Sequence, residues 1–541
     1  MPEYLAPGVY IEEVNAGPRP IEGVSTSTAG FVGETERGPT RSRLVTSWTD
    51  YQRWYGGYID RPPLNALNHF LPYAVRGFFE NGGQRLFVAR VIGKAALAAT
   101  VSLPGDTGPT GIRAIGPGTF GNHILVAVSQ STAAANASKP GTPPADQTEV
   151  AKWFRIQVMY YRDEIPAPFV DPTDPAKLAD PKRREPDAYE NFDDLSADPT
   201  RPNFAKTVIN ASSFLIEVDS CLGVPAPKAF PSVVLQNGTY VAAALDDFLD
   251  DATVDPEARR GLAALCSMRD ISLMSIPDEV VINDLAAKLQ DKCDAMKDRF
   301  AILSDQGPNP NVPSIRPLRD SSYGAYYYPW VRVTAPHTPD GSTLVPANGH
   351  ITGIYARSDV ERGVHKAPAN EVVRGIITRD LNGGKRPLSH TLSKQEHDLL
   401  NPRGVNVIRD FRTDGRDIRV WGARTMSSDA MWKYINVRRL FIFIEQSIDR
   451  GTQWAVFEPN SEITWIALRS AISNFLRTVW RNGALMGTTQ DEAFFVKCDR
   501  STMTQDDFDN GHLICLIGIA PVKPAEFVIM RISQKTIEAE S

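Results

Sequence analysis

Asp270-Ile-Ser-Leu-Met-Ser-Ile-Pro277, then Val280 to Arg299, then Phe300-Ala-Ile-Leu303: this stretch decides the fold. The first run is short, apolar and bounded by Asp and Pro, the pattern of a buried strand. The second sets Val281, Leu285, Leu289, Cys293 and Met296 at helical spacing. The third is a strand again. Strand, helix, strand with buried strands predicts an α/β layer around a parallel or mixed sheet.

Working outward, Leu245 to Leu249 looks helical, and Glu257 to Met268 is a stronger helix candidate. Further upstream, Ile21-Glu-Gly-Val-Ser-Thr-Ser-Thr-Ala-Gly-Phe-Val-Gly33 is small, β-branched and glycine-punctuated, like a buried strand beside close backbone neighbours. Leu64, Leu67, Phe70, Leu71, Ala74, Val75 and Phe78 predict an amphipathic helix over 64–79, kinked at Pro72. Asn81-Gly82-Gly83 ends it, and Arg85 to Ile92 is a strand. Between the two α/β parts, residues 95–228 carry proline-rich loops around Phe154-Arg-Ile-Gln-Val-Met-Tyr160 and Phe214-Leu-Ile-Glu-Val218, which predicts a mainly β insertion. A looser tract follows over about 306–350. Beyond it, Gly415 to Arg424 looks like a strand, Val437 to Gln446 fits strand or helix, and Ser461 to Trp480 is a helix.

With 541 residues the chain is too long for one core. A formal net charge of −6 gives no global sign of a nucleic-acid binder. Leu513 to Ala520 is among the longest apolar runs and is far short of a bilayer span. The opening Met-Pro-Glu-Tyr shows neither the basic nor the apolar region of a secretory signal. Cys221, Cys266, Cys293, Cys498 and Cys515 are scattered without a CxxC spacing, which fits reduced thiols in a cytoplasmic chain.

The familiar chemical motifs are each incomplete in this sequence. Gly93-Lys94 and Gly384-Lys385 lack the upstream glycine of a phosphate loop. Gly23-Val-Ser25-Thr-Ser27 starts like a nucleophile elbow, but Ser27 replaces the second glycine. Gly349-His350 and Val364-His365-Lys366 place polar groups in a loop-rich tract, where structural hydrogen bonding accounts for them. The eight histidines show no metal-ligand spacing. No catalytic, cofactor-binding or metal-ligating residue is nominated.

Three features point to assembly instead. Val9, Tyr10, Ile11, Glu12 and Glu13 form a β-prone segment near the start, and Phe527, Val528, Ile529, Met530, Arg531 and Ile532 form another near the end. Neither has a tight-turn partner, so each is expected to dock on a sheet edge of this subunit or a neighbour. The third feature is the helix Ser461 to Arg481. Its apolar face carries Trp465, Leu468, Ile472, Phe475, Leu476 and Val479, and Arg469, Arg477 and Arg481 lie roughly opposite, with no acidic residue after Glu462. That predicts a purely basic outer face, suited to solvent or to an acidic partner.

Val437-Arg-Arg-Leu-Phe-Ile-Phe-Ile-Glu-Gln-Ser-Ile-Asp-Arg-Gly-Thr-Gln-Trp-Ala-Val-Phe-Glu-Pro-Asn460 resembles the C-terminal region of contractile tail sheath proteins. So do Phe475 to Gly487, Phe494 to Asp499 and Ile517 to Ile529. At the front, Pro7-Gly-Val-Tyr-Ile-Glu-Glu13, Gly23 to Gly33 and Phe78-Phe-Glu-Asn-Gly-Gly83 look like the same family, as do Tyr327 to Val333, Gly353 to Arg357 and Gly363 to Asn370 in the middle. The resemblance covers both ends and the centre and is weakest across about 95–228, where the family itself varies.

The resemblance implies a structural machine and no enzyme or cofactor. Subunits of such sheaths form stacked hexameric rings around a rigid inner tube, linked by exchanged terminal strands, and contract from a metastable extended state. It implies that Val9 to Glu13 and Phe527 to Ile532 join an interchain sheet, and that Arg469, Arg477, Arg481 and Lys497 face the tube. Implied partners are further copies of the chain, the tube protein, and baseplate and terminal cap proteins, with no nucleic acid and no direct membrane insertion. Assembly is expected in the cytoplasm, followed by residence in a tail or injection particle. Competing readings are another tail component (tube, baseplate or capsid) and, on Ser25 alone, an α/β hydrolase.

The expected fold is a multidomain α/β and α+β chain. It has an N-terminal arm (1–22), a central α/β domain in two parts (23–94 and 229–345), a mainly β outer insertion (95–228), a C-terminal α+β sheath domain (346–524) and a C-terminal arm (525–541).

Overall fold

A computed structural model describes residues 20–59, 69–103, 110–137, 152–220, 230–250, 255, 258–308, 311–378, 386–527 and 529–530. The chain divides into two units. The larger comprises Thr26–Val360 and Pro368–Lys433, the smaller Met1–Ser25, Glu361–Ala367 and Tyr434–Ser541.

The larger unit is built on an eight-stranded sheet in the order Ile418–Trp421, Val405–Asp410, Gly324–Tyr328, Phe300–Ser304, Leu273–Ser275, Ala29–Gly33, Leu86–Arg90, Arg43–Val45. The six inner strands run parallel, and the strand at each edge is antiparallel. Ala29–Gly33, Phe300–Ser304 and Gly324–Tyr328 are buried at every position. Parallel strands covered on both faces need such unbroken apolar runs, which is why they read clearly in the sequence.

The strand predicted over Ile21 to Gly33 is shorter: it starts at Ala29, and Ser25 lies before it, exposed. The helix predicted over 64–79 is Leu71–Glu80, and Pro72 sits in its first turn rather than at a kink. Proline fits there because its missing N–H has no intrahelical acceptor in any case; residues 60–68 lie outside the described residues. Val280 to Arg299 is not one helix. A 3-10 turn, Pro277–Val280, precedes the helix Leu285–Met296, and Val281 is exposed between them.

The tract expected to be loose over 306–350 holds the strands Gly324–Tyr328, Val331–Thr334 and Ser342–Val345, and runs into the helix Asn348–Arg362. His350 is therefore a buried helix residue and not a loop residue. Gly349 and Gly353 let this helix lie against Leu71–Glu80, because a β-carbon at either would strike the backbone of Ala74 or Phe78. Ile418–Trp421, inside the run Gly415 to Arg424 read as a strand, and Val405–Asp410 beside it belong to the sheet of the larger unit.

The described residues between 95 and 234 are rich in strands. Phe230–Val234, Ile124–Gln130, Phe154–Tyr160 and Ala188–Leu195 form an antiparallel sheet, and Thr100–Leu103, Thr110–Ala114 and Ile216–Ser220 form another. Buried Arg90, at the end of a central strand, donates to the carbonyls of Gly38 and Pro117 at 2.8 Å each and so ties the insertion's root to the main sheet.

The smaller unit packs the helices Ile435–Gly451 and Glu462–Arg481 with a two-stranded antiparallel sheet, Phe494–Lys497 and Leu516–Ile519. The ambiguous Val437 to Gln446 run is thus helical. Its core joins Leu440, Ile444, Trp465, Leu468, Ile472, Leu476 and Phe494.

Candidate assembly surface

The helix Glu462–Arg481 is fixed at both ends. At its start, Trp465 Nε1 donates to Asn460 Oδ1 at 2.7 Å, and the Thr464 hydroxyl donates to the Pro459 carbonyl at 2.7 Å. At its end Gly483, with φ of 79°, turns the chain and donates its N–H to the Trp480 carbonyl. Only a residue tolerant of left-handed backbone closes a helix this way. The seven residues Trp465, Leu468, Ala471, Ile472, Phe475, Leu476 and Val479 are buried, which sets the outer face.

That face is not purely basic. Ile463 and Ile466 stand 81% and 56% exposed on it, so a branched apolar half precedes the cationic half. Arg481 is exposed in the last turn. Arg477 is partly buried and engaged, donating to Gln490 Oε1 and Asn474 Oδ1 at 3.0 Å each. Arg469 is about a quarter to a third of a turn away from these two. It lines a cleft of about 360 Å³ with Glu462, Trp465, Ile466, Cys498, Asp499, Arg500 and Ser501.

Lys497 belongs to the two-stranded sheet. The register pairs Phe494 with Ile519, Phe495 with Gly518, Val496 with Ile517 and Lys497 with Leu516. Alternation turns Phe494 inward, where it is buried, and turns Phe495 and Lys497 outward. Asp499 feels both Lys497 and Arg469. Its carboxyl is held below the usual carboxylate range, first by the Ser501 hydroxyl and N–H and then by these cations. Lys497 and Arg469 are thereby brought into one electrostatic neighbourhood.

The outer face of this sheet is apolar, with Phe495 59% and Leu516 50% exposed. Among the described residues each of the two strands pairs only with the other, and just past Ile519 the chain is also held by 484–486, where the Met486 N–H donates to the Ala520 carbonyl at 2.8 Å, so the open edge is that of Phe494–Lys497. Exposed apolar surface next to open strand edges is a template for further strands. Both ends of the described chain leave from this same unit. Near the start, Ile21 is buried beside Gly451, and the Val24 N–H donates to the Ser447 hydroxyl at 3.1 Å. Near the end, Asn436 Nδ2 holds the Val522 carbonyl at 3.0 Å, and the Tyr434 hydroxyl reaches Glu526 at 3.3 Å. Past Glu526 the hold ends: Phe527, Ile529 and Met530 are 71%, 79% and 82% exposed and in no strand. Val528, Arg531, Ile532 and the front segment Val9 to Glu13 lie outside the described residues.

Two family models match this chain: the phage tail sheath protein central domain over residues 254–426, and the phage tail sheath C-terminal domain over residues 427–535. Together they span more than half of it. The chain belongs to the phage tail sheath family. Among sheath relatives, it is 27% identical over 183 residues to the putative prophage major tail sheath protein of Pseudomonas aeruginosa (strain UCBPP-PA14), covering 34% of this chain and 44% of that one. It is 30% identical over 205 residues to the tail sheath protein of Salmonella phage ViI, covering 38% and 30%. The chain thus spans less than half the length of these curated relatives.

Solved sheath structures share the fold over nearly the whole chain. The helical sheath of the anti-feeding prophage in its contracted state aligns with a TM-score of 0.54 at 23% identity, covering 98% of this chain and 100% of that one. The sheath complex of the extracellular contractile injection system PVC, also contracted, gives 0.54 at 20%, covering 99% of each. The mixed α/β architecture with several sheets is therefore that of a sheath subunit.

The sequence missed the exposed apolar residues. Ile463, Ile466, Phe495 and Leu516 look like ordinary core positions in a helical or alternating pattern. Only the fold reveals that their faces have no cover within the described residues.

Proposed function

We propose that this chain is the sheath subunit of a contractile tail or contractile injection system. Copies stack as hexameric rings around an inner tube, and the front and rear arms add strands to the sheets of neighbouring subunits. The observation that carries this reading is the pairing in one unit of an open two-stranded sheet and an exposed apolar run, Phe527, Ile529 and Met530, that has nothing to pair with in its own described chain. A lone strand gains stability only by joining a sheet. A head-to-tail contact that does not close on itself generates a helix, the symmetry a sheath requires.

Contraction follows from stored conformational energy. The extended lattice is held by a kinetic barrier, a baseplate signal releases it, and the subunits rotate and repack while the arms act as flexible tethers. Arg469, Arg481 and Lys497 face the tube in the extended state, with Arg477 as a braced neighbour. Exposed ion pairs contribute about 0–1 kcal/mol each, weak enough individually to be released together. The 95–228 insertion lies outermost. The role is structural and not catalytic. Subunits assemble inside the producing cell with tube, baseplate and cap proteins and then reside in the particle, without nucleic acid. No helix among the described residues is long and apolar enough to cross a membrane.

The test is negative-stain electron microscopy of the chain at rising concentration, alone and with a tube protein and baseplate. Hollow, striated, six-fold cylinders are expected. Dispersed monomers even with tube and baseplate present overturn the reading.

A further inference from the structure

The last pair in the ladder of the smaller unit's sheet is Lys497 with Leu516. One step further, Cys498 faces Cys515. Each thiol shifts the other's proton affinity, which places them side by side. The phase of the ladder is set at its other end, where the Ala520 N–H donates to the Ala493 carbonyl at 2.9 Å. Hydrogen-bonded and non-hydrogen-bonded pairs alternate along antiparallel strands, so Cys498 and Cys515 fall on the close, non-hydrogen-bonded phase. There the Cα atoms stand about 4.5 Å apart. A disulfide spans Cα separations of about 4.4–6.8 Å, so the backbone need not move to make one.

We infer that Cys498 and Cys515 are a dithiol pair that closes to a cross-strand disulfide when the chain meets a small disulfide oxidant. Both are free thiols on the inward side of the sheet, Cys498 buried and Cys515 partly exposed. Cys498 lines the open cleft beside Arg469, which gives a small oxidant a way in. The Arg469 charge favours the thiolate of both, against burial, which pushes both thiols up, Cys515 to about 12. Closure is therefore slow at neutral pH and quickens as pH rises.

The exchange balances with glutathione disulfide. Cys498, which lines the cleft, loses its proton and its sulfur attacks one sulfur of the oxidant, displacing a glutathione thiolate. Cys515, deprotonated in turn, attacks the Cys498 sulfur and displaces the second. One S–S bond forms, two protein thiols are oxidised, and the two glutathione thiolates take up the two protons released. The bond closes the 499–514 segment, which carries the short helix Gln505–Asp509, at the end of the sheet. This chemistry stands apart from the sheath reading and holds for the isolated chain.

The test incubates the full chain with glutathione disulfide at about pH 8, where thiolate fractions rise, then quenches with acid, digests without reductant and maps disulfides by mass spectrometry. The expected result is a peptide pair joined through Cys498 and Cys515, with the linkage lost on adding dithiothreitol. The Cys515→Ser variant should lack it and Cys266→Ser should keep it. Absence of the linkage in the unmutated chain, stable glutathione adducts on Cys498 or Cys515, or closure only between other cysteines overturns the inference.

Discussion

Phe495 lies across Gly518 on the paired strand, its ring filling the space that a β-carbon on Gly518 would occupy. The glycine thus lets an aromatic lie flat on the sheet and cover bare backbone. Gly518→Val should evict the ring, at a cost of about 1–3 kcal/mol, the usual range for forced overpacking. Removing the ring in the same chain, as Phe495→Ala with Gly518→Val, should recover most of that loss. Urea unfolding of the two single variants and the double variant measures it. Additive losses with no recovery would show that the two residues do not compete for one space.

Asp278 offers a second, pH-dependent measurement. Its Oδ1 accepts the Phe70 N–H at 2.6 Å, and burial at the end of the parallel sheet pushes its carboxyl up to about 7. The neighbouring His69 pulls the other way, and its ring nitrogen pairs with Glu34 at 2.8 Å. A carboxyl raised on folding is most favourable when protonated, so its contribution is full in acid and is lost as pH rises through about 7. Between pH 5 and 8 this group alone should cost the folded chain about 2–3 kcal/mol. Asp278→Asn keeps an acceptor for Phe70 and cannot ionise, so its stability should fall less over that range. Parallel pH profiles for variant and parent would show that Asp278 does not carry the shift.

These sites also mark how far the sequence was readable. Strands such as Phe300–Ser304 were plain because burial on both faces demands a continuous apolar run. The helix Asn348–Arg362 was not, because it is buried from Asn348 to Ser358 and so lacks the polar–apolar period that marks a surface helix. Its Gly349 read as a loop residue, yet Gly349 and Gly353 both serve close helix packing. Val437 to Gln446 stayed ambiguous because Arg438 and Arg439 are buried in the fold. On the candidate surface, charge was legible and exposure was not. Arg469, Arg481 and Lys497 announced themselves as cations, while no pattern singled out Ile463 or Phe495.

The exposed run of the rear arm makes a clean test because Phe527, Ile529 and Met530 lie exposed past the contact at Glu526. Replacing Phe527, Ile529 and Met530 with Ser should leave monomer stability within about 0.5 kcal/mol of the parent, as for exposed positions elsewhere. Polymerisation should be lost, since the alternating apolar contacts that seat an added strand are gone. Thermal unfolding and sedimentation are read on the same samples. Full-length polymers from this variant would assign the exposed run to solvent.

On the basic helix the two exposed cations are separable from the braced one. Arg469→Glu with Arg481→Glu reverses two exposed charges and leaves the Arg477 hydrogen bonds to Gln490 and Asn474 in place. Tube engagement should weaken by about 1–2 kcal/mol in total, the scale of two exposed pairs, while sheath-only polymers persist. The parent's engagement should fall with added salt, because exposed charges are screened, and the variant should have lost most of that dependence. Ile463→Ser with Ile466→Ser discriminates further. Apolar contact is not screened, so this variant should lose affinity equally at low and high salt if the apolar half of the face also meets the tube. Co-sedimentation with tube across a salt series reads both. A charge-reversed variant that binds tube as the parent does, with the same salt slope, returns Arg469 and Arg481 to solvent.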